Sequence, residues 1–330
     1  MPVRFQDLAR GAYLLAGARS LFCPGPLLLY FCRMSPFDLY TGHPFDQEDH
    51  DRKLQALAEA ALREDIGDGD HSTLSCIPPG ARGKAVLKIK QEGILAGVEV
   101  AGKILRMKEP SARFTPYKKD GDPMKSGESA FEVEATIRTI LECERLLLNC
   151  MQRMSGIATL TRQYVDRLKG YHTRVLDTRK TTPNFRLLEK EAVRIGGGVN
   201  HRFGLYDMIL LKDNHIDYCG SLELAIEKAG LYRREHQPHL KIEIETRNLD
   251  EVRRVMATGG VDRIMLDNFN PPQISEALAL IGGLHETEAS GGIHLDNIEE
   301  YARTGVDFVS IGALIHQAKS LDLSLKAVME

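Results

Sequence analysis

Beyond Gly170 the chain repeats one unit six times: a short apolar run, a polar tip, then an amphipathic stretch. The runs are Arg174–Leu176, Asp207–Leu211, Lys241–Ile244, Arg263–Leu266, His285–Ala289 and Phe308–Ile311. Their brevity and apolar character predict buried strands. Helical periodicity follows over 183–195, 221–231, 248–258, 272–281, 295–304 and 313–327. Such alternation implies parallel strands with right-handed crossovers. Each run also ends in chemistry: Asp177-Thr178-Arg179-Lys180, Lys212-Asp213-Asn214, Glu245-Thr246, Asp267-Asn268, Ser290-Gly291-Gly292 and Gly312-Ala313. An open sheet concentrates its ligand contacts at one switch point, whereas a barrel gathers every strand end at one mouth. The pattern therefore predicts an α/β barrel, with six strands in place of the usual eight.

The chain before this region reads differently. Asp51 to Ile66 is an amphipathic helix, with Leu54, Leu57, Ala61 and Leu62 inward, ending at the turn Gly67-Asp68-Gly69-Asp70. That acidic turn lacks the downstream Glu of a calcium loop. Residues 84–139 alternate at Lys84–Lys90 and Phe131–Ala135, with a helical piece within Ile94–Ile104, and form a small α+β unit. From Glu144 the period becomes helical, with Leu146, Leu147, Cys150, Met151, Met154 and Ile157 as the buried stripe. Ser155-Gly156 marks a bend or a close helix packing.

Composition narrows the partners. The 330 residues carry 43 Lys and Arg against 46 Asp and Glu, a formal net charge of -3. That balance argues against nucleic-acid binding, so a cationic cluster serves a small ligand. The six cysteines form no CxxC pair and no zinc spacing, which predicts reduced cytoplasmic thiols. Gly11 to Ala18 mimics a signal-peptide cleavage region, but Arg10 and Arg19 bracket it and it is short for a signal core. The run Ser20–Cys32 is too short to span a membrane. Residues 1–33 are read as an N-terminal extension without assignable chemistry, and Met34 as an alternative start.

The chemistry concentrates between Asp177 and Ile216. Arg179, Lys180 and Lys212 each follow directly on a buried strand, and His201-Arg202 follows a triple glycine. A site so cationic calls for a polyanionic ligand. From Thr182 to Ile195 a helix is expected, with Pro183 at its first position and Phe185, Leu188, Ala192 and Ile195 on one face. Arg186, Lys190 and Arg194, with Glu189 and Glu191 nearby, are read as its solvated face. The glycine turns at Ser290-Gly291-Gly292 and Gly312-Ala313 suit a phosphate. Glu245 and Asp267 end adjacent strands, and Glu243 shares the side of Glu245; such carboxylates hold Mg²⁺ or ribose hydroxyls, or else pair with Lys212 or Arg179. With no GxSxG and no acid–base pair, the chemistry reads as electrostatic positioning.

From about Asp51 to Leu325 the chain resembles the quinolinate phosphoribosyltransferase family. The resemblance rests on Glu144-Arg145…Leu148-Asn149…Ser155-Gly156-Ile157-Ala158, Asp177-Thr178-Arg179-Lys180-Thr181, Gly196-Gly197-Gly198…Asn200-His201-Arg202 and Leu211-Lys212-Asp213-Asn214-His215. It continues through Glu243-Ile244-Glu245, Leu266-Asp267-Asn268, Ser290-Gly291-Gly292-Ile293 and Gly312-Ala313-Leu314. The resemblance implies an N-terminal open α/β sandwich over 34–143, to which about 314–330 returns, and a six-stranded open α/β barrel of TIM-like type over 144–313. It implies a pentosyltransferase, nicotinate-nucleotide diphosphorylase (carboxylating), acting on quinolinate and phosphoribosyl pyrophosphate with Mg²⁺ in NAD biosynthesis.

The family's roles then fall on this chain residue by residue. Arg179, His201, Arg202 and Lys212 match the cations for the dicarboxylate, with Thr178 beside them and Lys180 near the reacting centre. Glu245 and Asp267 match the residues that meet ribose and the Mg²⁺–pyrophosphate. Ser290, Gly291, Gly292, Gly312 and Ala313 match the 5′-phosphate cradle. Lys180, Lys212, Glu245 and Asp267 are the expected catalytic set. Arg145 alone would read as an ordinary ion-pair residue, but in the family it reaches the neighbouring subunit's site of a homodimer or hexamer. Three alternatives remain open: a phosphoribosyltransferase for nicotinate, a barrel aldolase or isomerase using Lys180 or Lys212, and a non-catalytic sensor.

Overall fold

The computed structural model describes residues 47–328, so the extension 1–33 lies outside the described residues. Two sheets share one long helix. The first sheet contains β1 (Arg82–Ile89), β3 (Arg113–Pro116), β5 (Ser129–Thr136) and β12 (Leu323–Val328), ordered β12-β1-β5-β3 and antiparallel throughout. A separate two-stranded ribbon pairs β2 (Gly93–Ile94) with β4 (Pro123–Met124). In β1 the inward positions Ala85, Leu87 and Ile89 are buried and alternate with partly exposed ones, the period of a sheet covered on one face. Helix α1 (Gln47–Ile66), the short α2 (His71–Cys76) and α3 (Val98–Lys108) complete this region.

Helix α4 runs unbroken over Ile137–Arg167, opening at Thr136, whose side chain accepts from Thr139 N. It therefore begins seven residues before the helical period was read from Glu144, because capping and not periodicity sets its start. At Gly156 the close-packing alternative holds: a Cβ there would lie 2.1 Å from Lys319 O. The segment joining the barrel to β12 is laid on α4 at this point. Leu321 N donates to Gln152 O, and Gln152 Nε2 donates to Leu323 O.

Residues 313–327 were expected to be helical. Only Ala313–His316 is, and Leu323–Val328 is a strand paired with β1 from Lys84↔Val328 to Ile89↔Leu323. Leu323 and Leu325 are buried and alternate with Ser324 and Lys326, so the period is two.

The second sheet consists of β6 (Arg174–Leu176), β7 (Ile209–Leu211), β8 (Ile242–Thr246), β9 (Arg263–Asp267), β10 (Glu286–Ser290) and β11 (Phe308–Ser310). All its pairings are parallel, in the order β6-β11-β10-β9-β8-β7. This is the cyclic order of a barrel, interrupted between β6 and β7. Val199 fills part of the gap through a parallel bridge to Leu176. The crossovers include α5 (Arg186–Ile195), α6 (Asp213–Cys219), α7 (Leu222–His236), α8 (Leu249–Thr258), α9 (Pro271–Ile281), α10 (Ile298–Ala302) and, after β11, α11 (Ala313–His316). Helix α6 was not foreseen as a separate element. Among the described residues no helix is long and apolar enough to cross a membrane.

Glu109, just beyond α3, ties that helix to the start of α4. Its carboxylate accepts from Thr136 N (3.0 Å) and Thr136 Oγ1 (2.8 Å). Burial raises its pKa, but these bonds prevail and hold it down to about 2, against an ordinary 4.5. A depressed carboxylate contributes stability above its unfolded pKa and loses it as the pH falls toward the folded one. Glu109→Gln should therefore flatten the acid loss of the urea midpoint between about pH 4.5 and about pH 2. Equal slopes in wild type and variant would refute the assignment.

Candidate active site

The barrel interior is built in layers by the two-residue period of its strands. Register pairs Glu243 with Arg263 and Glu245 with Met265 across β8 and β9. It pairs Glu286 with Arg263, Glu288 with Met265 and Ser290 with Asp267 across β9 and β10. Glu243, Arg263 and Glu286 thus share the lowest row, Glu245 and Glu288 the next, and Asp267 and Ser290 the row at the C-terminal strand ends, where barrel enzymes place their sites.

The deep layer is charged. Arg263 lies 3.3 Å from Glu288 and 3.2 Å from Glu286, its guanidinium 4.4 Å from the Phe308 ring centre. His201 enters through the gap between β6 and β7, placing Nε2 3.0 Å from Glu243 and 3.4 Å from Glu288. Burial lowers its pKa, but Glu288 and Glu243 outweigh it and push it up to about 10. The Arg202 amide donates to Nδ1 at 2.7 Å, so the proton beyond the neutral ring is shared with the carboxylates. Glu243 is itself raised, by burial and by Glu288. His201, Glu243 and Glu288 have the donor set of a metal site, but Arg263 already supplies a cation at Glu288. His201 Nδ1 is thus engaged by a backbone amide, whereas Nε2 lies at ion-pair distance from both carboxylates without a hydrogen-bond partner among the described residues.

At the mouth, Lys212 Nζ lies 2.7 Å from Glu245 Oε2, the pairing that the sequence left as the plainer alternative. Arg179 is half-buried, and its Nε is buried with no hydrogen-bond partner among the described residues. Arg202 has its pKa lowered by burial first and by the charge of Arg179 next, so the two guanidinium groups act on each other. Arg202 also donates to Met208 O at 3.3 Å. Thr178 Oγ1 accepts from the Lys180 amide at 3.1 Å, and a Cβ on residue 312 would lie 3.0 Å from Lys180 Cδ. The exposed Lys180 therefore runs along the Gly312-Ala313 turn. Gly291, at φ 92°, must be glycine, since a Cβ would sit 2.2 Å from Asn268 Oδ1. Gly292 is exposed beside it. Asp267 Oδ2 accepts from Asn268 Nδ2 at 2.6 Å. Arg145 is exposed on α4, between the half-buried Glu144 and the buried Leu146.

Helix α5 corrects the sequence reading most. It starts at Arg186, after a turn in which Asn184 has φ 63°, and not at Pro183. Only Arg194 of the three regularly spaced cations is exposed. Lys190 is fully buried, 2.5 Å from Asp177 and 2.9 Å from His201 O. Glu189 is buried too, accepting from Thr182 and from Arg153, which also donates to Ile315 O and Ala318 O. Arg186 bridges Thr181 Oγ1 and Phe203 O. A charge every fourth residue looks identical whether its partner is water or a buried carboxylate. The signal lay in Asp177, an acid closing an apolar strand.

A barrel with paired guanidiniums, carboxylates and glycine turns at one mouth defines a class of enzymes for phosphorylated, multiply anionic substrates. Profiles of the quinolinate phosphoribosyl transferase N-terminal and C-terminal domains match residues 70–155 and 157–326, and the chain belongs to that family. The nicotinate-nucleotide pyrophosphorylase [carboxylating] of Arabidopsis thaliana, a chloroplastic protein, is 41% identical over 288 residues, 83% of this chain and 82% of that one. The probable nicotinate-nucleotide pyrophosphorylase [carboxylating] of Bacillus subtilis is 40% identical over 84% of this chain and 94% of its own. The crystal structure of NadC from Streptococcus pyogenes matches with TM-score 0.78 at 40% identity, covering 87% of this chain and all of that one. Human nicotinic acid phosphoribosyltransferase, 12% identical with TM-score 0.52, shares the fold alone.

Proposed function

We infer that the protein transfers the phosphoribosyl group of phosphoribosyl pyrophosphate to quinolinate with loss of one carboxylate. The products are nicotinate mononucleotide, pyrophosphate and CO₂, a step of NAD biosynthesis. The observation that carries this reading is the buried Nε of Arg179, a guanidinium N–H without a hydrogen-bond partner among the described residues, on a residue whose charge acts on Arg202. Two cations that act on each other, one with a donor still unmet, suit a dianion better than a monoanion such as nicotinate. An aldolase would need a desolvated lysine free to form a Schiff base, whereas Lys212 is paired with Glu245 and Lys180 is exposed.

In this reading Arg179, Arg202 and Lys212 grip the two carboxylates, with Thr178 alongside and His201 supporting Arg202 from below. Ser290, Gly291, Gly292, Gly312 and Ala313 cradle the 5′-phosphate, and Lys180 lies between that cradle and the reacting carbon. Glu245 and Asp267 meet the ribose, where they favour the developing oxocarbenium charge. As the bond from ribose to pyrophosphate breaks, the ring nitrogen supplies the pair for the new bond. The positively charged ring then accepts the electrons left by departing CO₂, and a proton restores the ring carbon.

Glu245 and Asp267 also fit a hard divalent ion, since they offer oxygen donors on adjacent strands, although Lys212 shares Glu245. Mg²⁺ held there with the diphosphate would neutralise the leaving group. Arg145, exposed on α4, fits a role in a partner's site within a dimer or hexamer. The division into a sandwich (34–143 with about 314–330) and a barrel (144–313) belongs to the same reading, supported by the two sheets and the paired profile matches. So does a cytoplasmic location, with Cys76, Cys143, Cys150 and Cys219 as free thiols.

The test is release of labelled CO₂ from carboxyl-labelled quinolinate. Release should require both phosphoribosyl pyrophosphate and Mg²⁺. Consumption of nicotinate without release would assign the protein to the alternative transferase, and silence with both acids would favour the sensor.

A further inference from the structure

Asp177 and Lys190 are the two ends of an ion pair in which both side chains have zero exposure. Their remaining bonds all go to one short segment. Asp177 Oδ1 accepts from His201 N at 2.8 Å, and Asp177 Oδ2 accepts from Asn200 Nδ2 at 2.5 Å. Lys190 Nζ donates to His201 O at 2.9 Å, and Asn200 Nδ2 also donates to Lys190 O at 2.9 Å. Three donors therefore converge on one carboxylate and oppose the burial that raises the Asp177 pKa and lowers that of Lys190. Asp207 continues the framework by accepting from Phe203 N and Gly204 N.

The segment held in this way is the one that carries Arg202. It lies in the gap of the barrel, where sheet hydrogen bonds hold only Val199. Arg179 stands two residues beyond Asp177 on the tip of β6. A single buried pair thus links the backbones that bear Arg179 and Arg202, two like charges that repel each other.

We propose that Lys190 and Asp177 are positioning residues for the acid substrate, holding the His201–Arg202 backbone in register with Arg179 so that both guanidiniums meet one dianion. The inference rests on the quinolinate reading above. Displacing a binding group by about an ångström can cost up to about a hundredfold. A buried charged pair that served stability alone would change melting without separating the two substrates.

The test compares Lys190→Met, which keeps length and removes charge, with the doubly neutral Asp177→Asn/Lys190→Met. The double variant leaves no uncompensated buried charge, so it folds even if the single one does not. Circular dichroism and melting establish the fold. Calorimetry then measures binding of phthalate, a dicarboxylate that cannot react, and kinetics gives KM for each substrate. In the folded variants, phthalate affinity should fall and quinolinate KM rise at least about tenfold, with KM for phosphoribosyl pyrophosphate within about twofold of wild type. Phthalate affinity within about twofold of wild type in the folded double variant would overturn the proposal, as would equal losses for both substrates. Wild type that binds no phthalate and releases no CO₂ would instead overturn the quinolinate reading.

Discussion

Arg179→Ala should lower kcat/KM for quinolinate-dependent CO₂ release by at least about a hundredfold, the scale of losing one charged contact to the reacting substrate. Three features concentrate the effect at this residue. It stands three residues beyond Leu176, the last residue of β6, and two beyond Asp177, whose amide donates to Val199 O. Its Nε is buried and unbonded, which leaves a donor to be satisfied by whatever fills the mouth. Its charge already raises the cost of Arg202's, so removing it relaxes the site and weakens its demand for a dianion. Arg179→Lys should recover only part of the loss, because an ammonium restores the charge without the planar fork that suits a carboxylate. Phosphoribosyl pyrophosphate binding, followed by calorimetry, should change far less. A loss below about tenfold in Arg179→Ala would remove the residue from the site.

Gly156→Val should destabilise the fold by about 3 kcal/mol or more, from overpacking against a backbone that cannot retreat freely. The nearest atom is Lys319 O, and Lys319 C follows at 2.8 Å, so the obstruction is main chain and not a movable side chain. Around it, Arg153 donates to Ala318 O and Ile315 O, and Leu321 N donates to Gln152 O. Moving the segment away from α4 breaks these bonds together and disturbs the turn that begins at Gly312. The urea midpoint should fall with an unchanged slope, and activity at low temperature should fall as well. An unchanged midpoint would mean that the two backbones do not approach in solution.

The strands of the barrel were legible where parallel strands covered on both faces leave short apolar runs, as at β6 and β7, and less so at β8 and β10, which carry Glu243, Glu286 and Glu288. Arg179 and Arg202 were legible as cations of one anion site, but the buried Asp177–Lys190 pair that ties their backbones together was not, since it depends on how the insertion between β6 and β7 folds back. Lys190 and Glu189 were misread because local spacing carries no information about a partner elsewhere in the chain, Asp177 in one case and Arg153 in the other. The last strand was misread as helix because Leu314 and Ile315 continue an apolar pattern into it. Its true period emerges only over Leu323–Val328, a stretch too short to outweigh what precedes it.

The pairing of β12 with β1 also orders events during synthesis. Chains fold from the N-terminus as they emerge, and an unpaired strand edge is open to wrong partners. Here β1 finds β5 early, but its other edge has no partner until residues 323–328 have been made. The nascent protein therefore carries a bare edge while the whole barrel is translated, and a ribosome that stops before Leu323 leaves a chain marked for chaperones or proteases.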